Sequence, residues 1–153
     1  MRTDTRNKKR IAVIGGAKAE TKHLQRAEEV GRLIAKRGGI LVCGGLGGVM
    51  EAACKGAKKA GGLTIGILPG KDRAEANAYI DIAIATGLGF TRNSLVAMNA
   101  DAVIAVDGLY GTLSEIAYTI VYGKKVIGLE TWDIQGVLAA ASPDEAVKLA
   151  FEE

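Results

Sequence analysis

The chain has 153 residues, 48% apolar and 24% charged, a size and balance that suit one soluble globular domain with a real core. Its net charge of +3 comes from the first ten residues, where Arg2, Arg6, Lys8, Lys9 and Arg10 against Asp4 give +4, leaving −1 for the rest. A nucleic-acid binder would need a basic stripe in its folded body, and a membrane protein an apolar run of ~20 residues; neither is present.

Residues 1–9 read as a flexible basic arm before a single domain over 10–153. The N-terminus lacks the apolar segment of a signal peptide, which makes the cytoplasm the expected location. Continuous apolar runs then recur at Ile11–Ile14, Ile40–Cys43, Leu63–Leu68, Ile80–Ala85, Ala102–Val106 and Val126–Leu129. Such runs suit strands buried on both faces of a parallel sheet. Helical patterns lie between them, over Glu20–Arg37, Gly48–Ala60, Thr91–Ala100 and Thr112–Tyr122. A last helix starts at Ser142-Pro143-Asp144-Glu145, where Ser142 caps, Pro143 takes the first helical position and Glu145 completes a capping box. The polar stretch Lys71–Ala78 reads as a flexible loop. Alternation of strands and helices predicts an α/β, Rossmann-like doubly wound sheet with helices on both faces. Cys43 and Cys54 read as reduced core residues. His23 reads as a surface residue, and no group of side chains has the spacing of a metal site.

The 21 glycines, roughly twice the usual share, cluster where the predicted strands end. In such a sheet, ligands bind at the carboxyl ends of the strands, near the reversal of strand order. Gly15-Gly16-Ala17 follows the first strand, and Gly44-Gly45-Leu46-Gly47-Gly48 runs into the second helix. Backbone N–H groups there can turn towards an anion, helped by the helix dipole. Neither turn is a Walker loop or a G-x-G-x-x-G fingerprint. Arg92, in Thr86–Asn93, falls in the first turn of a predicted helix, where a cation opposes the dipole; it is there either for an anionic partner or as an exposed arginine that tolerates the position. Glu115, in Asp107–Glu115, forms a capping box with Thr112, or holds a ligand, or does both in turn. On the same predicted helix, Ile116, Ile120 and Val121 are expected to face the sheet, leaving Tyr118 and Tyr122 for a subunit interface.

Together, Gly44-Gly45-Leu46-Gly47-Gly48-Val49-Met50, the run Gly61–Pro69, Arg92-Asn93 and Gly111-Thr112-Leu113-Ser114-Glu115 resemble the LOG-like superfamily, once labelled "lysine decarboxylase". The likeness is nearer to its short branch, which includes molybdenum cofactor carrier proteins, and it runs from Arg10 to Leu129. The resemblance implies a Rossmann-like fold, usually oligomeric, with phosphate held at the glycine turns. In the cytokinin-activating enzymes of the superfamily, the residues matching Arg92 and Glu115 serve cleavage of a nucleoside 5′-monophosphate; in the carrier branch the same surface holds a pterin cofactor. This chain departs from the enzyme motif Pro-Gly-Gly-x-Gly-Thr-x-x-Glu: Asp107 replaces the proline and Leu109 the second glycine. Asn93 stands for the lysine of an Arg-Lys pair, and Ala17 stands where a serine is common.

The expected function is binding of a phosphate-bearing nucleotide or molybdopterin-type ligand, with no cofactor required and no metal. The expected site comprises Gly15, Gly16, Gly44, Gly45, Gly47, Gly48, Met50, Arg92, Asn93, Gly108, Gly111, Thr112 and Glu115. Two alternatives are a phosphoribohydrolase using Arg92 and Glu115, and an oligomeric signalling or structural protein with a vestigial pocket. A homodimer or homotetramer is expected, with neither nucleic acid nor membrane as partner.

Overall fold

Seven parallel strands form one sheet in the computed structural model, which describes residues 4–153, so that part of the basic arm lies outside the described residues. In chain order the elements are β1 (Arg10–Gly15), α1 (Thr21–Lys36), β2 (Ile40–Cys43), α2 (Val49–Lys59), β3 (Leu63–Leu68) and β4 (Ile82–Ala85). There follow α3 (Asn93–Met98), β5 (Ala102–Val106), α4 (Tyr110–Val121), β6 (Lys125–Leu129), β7 (Val137–Ala139) and α5 (Pro143–Phe151). The strand order is β4-β3-β2-β1-β5-β6-β7. The chain winds outward from β1 in one direction, then returns to pair β5 with the other side of β1, Ile11 opposite Ala102 and Gly15 opposite Val106. The protein has a Rossmann-like α/β fold.

The period-2 geometry of a strand explains why its apolar runs are continuous. Ile11 and Val13 of β1 point to the face covered by α1, α2 and α5, in a core that also takes Leu41, Ile104 and Leu129. Ala12 and Ile14 point to the opposite face, with Val42, Val103, Val126, Val96 of α3 and Ile116 of α4. Helices α1 and α2 meet through glycine: a methyl group on Gly31 would collide with the Ala53 carbonyl, and one on Gly56 with that of Glu28.

Several expectations are corrected. Strand β7 was not apparent in the sequence, because it has three residues, two of them exposed, on the sheet edge. Strand β4 begins at Ile82 rather than Ile80, since Ile80 and Asp81 spend their N–H groups on Asn77 and Thr64 carbonyls in a turn. Helix α3 is shorter than Thr91–Ala100 and is preceded by a 3₁₀ turn, Gly89–Arg92. Helix α4 begins at Tyr110, which places Thr112 and Glu115 inside it and removes the capping box between them. Its buried face is Thr112, Glu115, Ile116 and Thr119, the i, i+3, i+4, i+7 stripe. Ile120 and Val121 are therefore not against the sheet; they are 37% and 77% exposed. Tyr118 and Tyr122 stack on that helix with centroids 6.0 Å apart.

At α5, Ser142 Oγ accepts from the Glu145 N–H, and Glu145 reaches Ala141 N rather than the cap residue itself. The loop read over Lys71–Ala78 contains a 3₁₀ turn, Arg73–Glu75. It is tied to the β2–α2 turn by Asn77, whose N–H donates to Gly45 O and whose Nδ2 donates to Leu46 O. His23 is not a surface residue: α1 buries it, with Nε2 3.8 Å from Asp107 Oδ1 and Nδ1 without a hydrogen-bond partner. No helix among the described residues is long and apolar enough to cross a membrane.

Candidate functional site

The turns that leave β1 and β5 stand side by side where the strand order reverses, and a cavity of about 400 Å³ opens there. A cleft of that size at that place is where an open α/β sheet takes a small ligand. Each wall has a different origin. The β1–α1 turn supplies Gly15, Gly16, Ala17 and Lys18; the entry to α2 supplies Leu46 and Met50. The 3₁₀ turn before α3 supplies Phe90 and Arg92, α3 supplies its first residue, Asn93, and the start of α4 supplies Leu109, Gly111, Thr112 and Glu115.

The glycines of the β2–α2 turn stand behind this lining. Gly44 O accepts from Arg92 Nη2 at 3.3 Å, and Gly45 N–H donates to Cys43 Sγ. Gly48 has φ of 64° and packs against the backbone of Gly16 and Ala17. Val49 N–H donates to Gly16 O at 3.0 Å, so part of the α2 N-terminus is already occupied by the chain itself. Gly47 also lies outside the lining, as does Gly108, where a side chain would run into Thr112. The turn Gly44–Gly48 thus acts as a support for the β1–α1 turn. Helix α4, like α2, has no side-chain capping bond at its cap residue, Leu109, but its Gly111 and Thr112 border the cavity. First-turn N–H groups without intrahelical partners are donors for an anion.

Arg92 is 6% exposed and ends the 3₁₀ turn before α3. Its Nε donates to Ile67 O at 2.9 Å, Nη2 to Gly44 O and Nη1 to Asn93 Oδ1. Three of its five N–H groups are therefore committed to the protein. Burial lowers its pKa, opposed by the nearby Glu115 carboxylate. Asn93 passes the connection on, donating through Nδ2 to Ser114 Oγ at 3.1 Å on α4. Arg92 and Asn93 thus join the ends of β2 and β3 to α4 before any ligand arrives.

Glu115 is 7% exposed, and among the described residues no hydrogen bond holds its carboxyl. Burial raises its pKa to about 8, and the attraction of Arg92 offsets this only in part. At neutral pH it therefore carries a proton, which it can donate to a ring nitrogen, a sugar oxygen or a departing base. Asp107 has φ of 52° and turns its side chain to His23, outside the cavity lining. Leu109 does not fill the pocket; it is 75% exposed and, with Phe90, which is 85% exposed, contributes to the cavity rim. Behind that rim Trp132 Nε1 donates to Leu109 O, and its ring lies 5.8 Å from Tyr110.

Of the residues expected at the site, Gly15, Gly16, Met50, Arg92, Asn93, Gly111, Thr112 and Glu115 border the cavity. The sequence reading did not include Lys18, Leu46 or Phe90 among them. Lys18 directly follows the turn Gly15-Gly16-Ala17, and that position next to a glycine turn is the one signal of it in the sequence. No group of three metal-ligating side chains exists among the described residues.

The fold and this cavity define a Rossmann-like protein with an open cleft at the strand reversal. Residues 8–152 match the model of the SLOG cluster4 family, and the chain belongs to that family. The molybdenum cofactor binding protein of the phototrophic bacterium Rippkaea orientalis superposes with a TM-score of 0.89 at 40% identity, covering 95% of this chain and 96% of that one. The molybdenum cofactor carrier protein of Chlamydomonas reinhardtii gives 0.83 at 36% identity, with 94% and 96% covered. The cytokinin riboside 5′-monophosphate phosphoribohydrolase of Mycobacterium tuberculosis is 34% identical over 119 residues, which span 71% of this chain and 63% of the enzyme.

Proposed function

We propose that this protein binds a small phosphate-bearing heteroaromatic ligand, of the molybdopterin or mononucleotide class, as a cytoplasmic carrier. One observation carries the reading: Glu115, a mostly buried residue whose carboxyl has no hydrogen-bond partner among the described residues, shares a cavity with the N-terminus of α4. A phosphate satisfies the amides, and a protonated carboxyl pairs with the edge of a ring or with a sugar hydroxyl. The carrier proteins superpose over nearly their whole length, which supports the pterin class. The lining contains no cysteine or histidine, so the residues favour the organic and phosphate parts of such a cargo over its metal. Calorimetry with AMP, GMP and molybdopterin is the test. Saturable binding of at least one is expected, and no heat from any at millimolar concentration overturns the reading.

A second reading, phosphoribohydrolase activity, is favoured by the raised pKa of Glu115 beside Arg92. A carboxylic acid neutral at pH 7 is suited to protonate a departing base. Incubation with AMP decides between them: release of adenine supports the enzyme, and binding without release supports the carrier.

We further infer that the chain pairs with a second copy of itself. The sheet face over β3 and β4 carries an apolar groove of about 250 Å³, lined by Ile65, Ile67, Ile82, Ile84 and Leu95, with Arg10 its one charged residue. Ile82 and Ile84 are each 46% exposed, and Leu88, at 50%, is a further exposed apolar side chain of this region. A nearly uncharged patch offering both grooves and projecting apolar side chains is complementary to itself under two-fold symmetry.

A further inference from the structure

We propose that Lys18 binds the anionic end of the ligand, supplying from the β1–α1 turn the second cation that Asn93 does not provide. The inference rests on the ligand-binding reading above and assigns a role to a residue outside the Arg92-Asn93 pair. Lys18 borders the same cavity as Gly111, Thr112 and Glu115. The two cations next along α1 are spent elsewhere: Lys22 and Arg26 both pair with Glu130, at 3.1 and 2.7 Å. Lys18 has no ion pair or hydrogen bond among the described residues, so its ammonium is available to an incoming anion.

The other polar groups of the cavity cannot take that role alone. Arg92 has given three N–H groups to Ile67, Gly44 and Asn93, and two remain. Asn93 is neutral, and it uses its oxygen on Arg92 and its amide on Ser114. Glu115 is an acid held neutral by burial. A dianionic phosphate monoester needs more positive charge than one partly engaged guanidinium provides, and Lys18 is the remaining cation of the lining.

The backbone under Lys18 is built to hold it there. Gly16 O accepts from Val49 N–H, fastening the turn to the start of α2. Gly48 packs beneath Gly16 and Ala17, and a side chain at Gly16 would come within 2.8 Å of Lys18 O. An exposed side chain thus springs from a clamped turn. It reaches the cavity from the side of β1, while the α4 amides face it from the side of β5.

The test is calorimetry of AMP, adenosine and inorganic phosphate with the full chain, Lys18→Gln, Lys18→Arg and Lys36→Gln, the last an exposed lysine at the far end of α1 that controls for net charge. The expected result is AMP weakened about tenfold or more in Lys18→Gln, with adenosine unchanged and with Lys18→Arg and Lys36→Gln close to wild type. Equal AMP affinity in wild type and Lys18→Gln overturns the assignment while leaving the ligand reading intact, and equal losses in Lys18→Gln and Lys36→Gln overturn it as well. Phosphate bound by wild type and lost in Lys18→Gln, with AMP no tighter than phosphate, upholds Lys18 and overturns the nucleotide reading. Binding of neither anion by wild type overturns the Lys18 assignment and the mononucleotide class of ligand, while molybdopterin is decided by the calorimetry above.

Discussion

Glu115 lies within electrostatic reach of Arg92, yet burial outweighs that attraction and leaves its carboxyl protonated up to a pH of about 8. A surface pair would behave in the opposite way, with the acid ionised well below neutrality. The reason is the commitment of the guanidinium: three of its donors face backbone and amide oxygens, and none hydrogen-bonds Glu115. The cavity floor is thus a neutral acid beside a constrained cation.

Stability should fall as pH rises. An unfolded chain releases the Glu115 proton near pH 4.5, whereas the folded chain keeps it to about 8. Between those values the native state binds more protons, so its stability is full below about 4.5 and is lost as pH rises through 8. Glu115→Gln removes this loss. Urea unfolding should show similar stabilities at pH 4.5 and an advantage for the variant of about 5 kcal/mol at pH 9. Parallel curves for the two proteins contradict the burial argument.

Arg92 should matter for folding as well as for ligand. Arg92→Ala leaves the Ile67 and Gly44 carbonyls without their donor in a buried place, at a cost of about 3 kcal/mol. Arg92→Lys should recover less than half of that, because an ammonium cannot fork to both. Chemical denaturation checks this, and a loss below about 1 kcal/mol for the alanine variant would be inconsistent with it.

Two glycines of similar dihedral should respond differently. Gly48 and Gly61 have φ of 64° and 77°, but only Gly48 is packed against backbone. Gly61→Ala costs about 1 kcal/mol of strain, while Gly48→Ala adds a collision with Gly16 and Ala17 and should cost about 3 kcal/mol or more. The second substitution should also weaken ligand binding by displacing the β1–α1 turn. Equal effects would mean that this turn is not held from below.

Association should depend on the open sheet face. Light scattering is expected to give a mass that is a multiple of 15.9 kDa, and Ile84→Glu should return the monomer with the fold intact by circular dichroism. A wild-type monomer at working concentration contradicts the pairing.

The parallel sheet was legible because a strand buried on both sides must be apolar at nearly every position, as β1, β2, β5 and β6 are. β7 escaped this logic since an edge strand of three residues needs no apolar run. The phase of α4 was misread for a similar reason. Its buried stripe includes Thr112, Glu115 and Thr119, polar residues held at the site and in the core, while Val121 is exposed. Apolar periodicity marks packing, and here the face of the helix that borders the cavity departs from it. The buried contact of His23 with Asp107 joins residues far apart in the chain and left no local signal. Lys18 was hidden by its ordinariness: a lysine after a turn carries no pattern until its neighbours in space are known.

The most direct measurement follows the backbone amides of Gly16, Gly111 and Thr112 by ¹H–¹⁵N NMR during titration with AMP and with molybdopterin. Saturable shifts at Gly111 and Thr112, absent when adenosine replaces AMP, are expected if α4 receives a phosphate in this cavity. Spectra in which those amides stay still while other surfaces move, or in which nothing moves, would contradict the account.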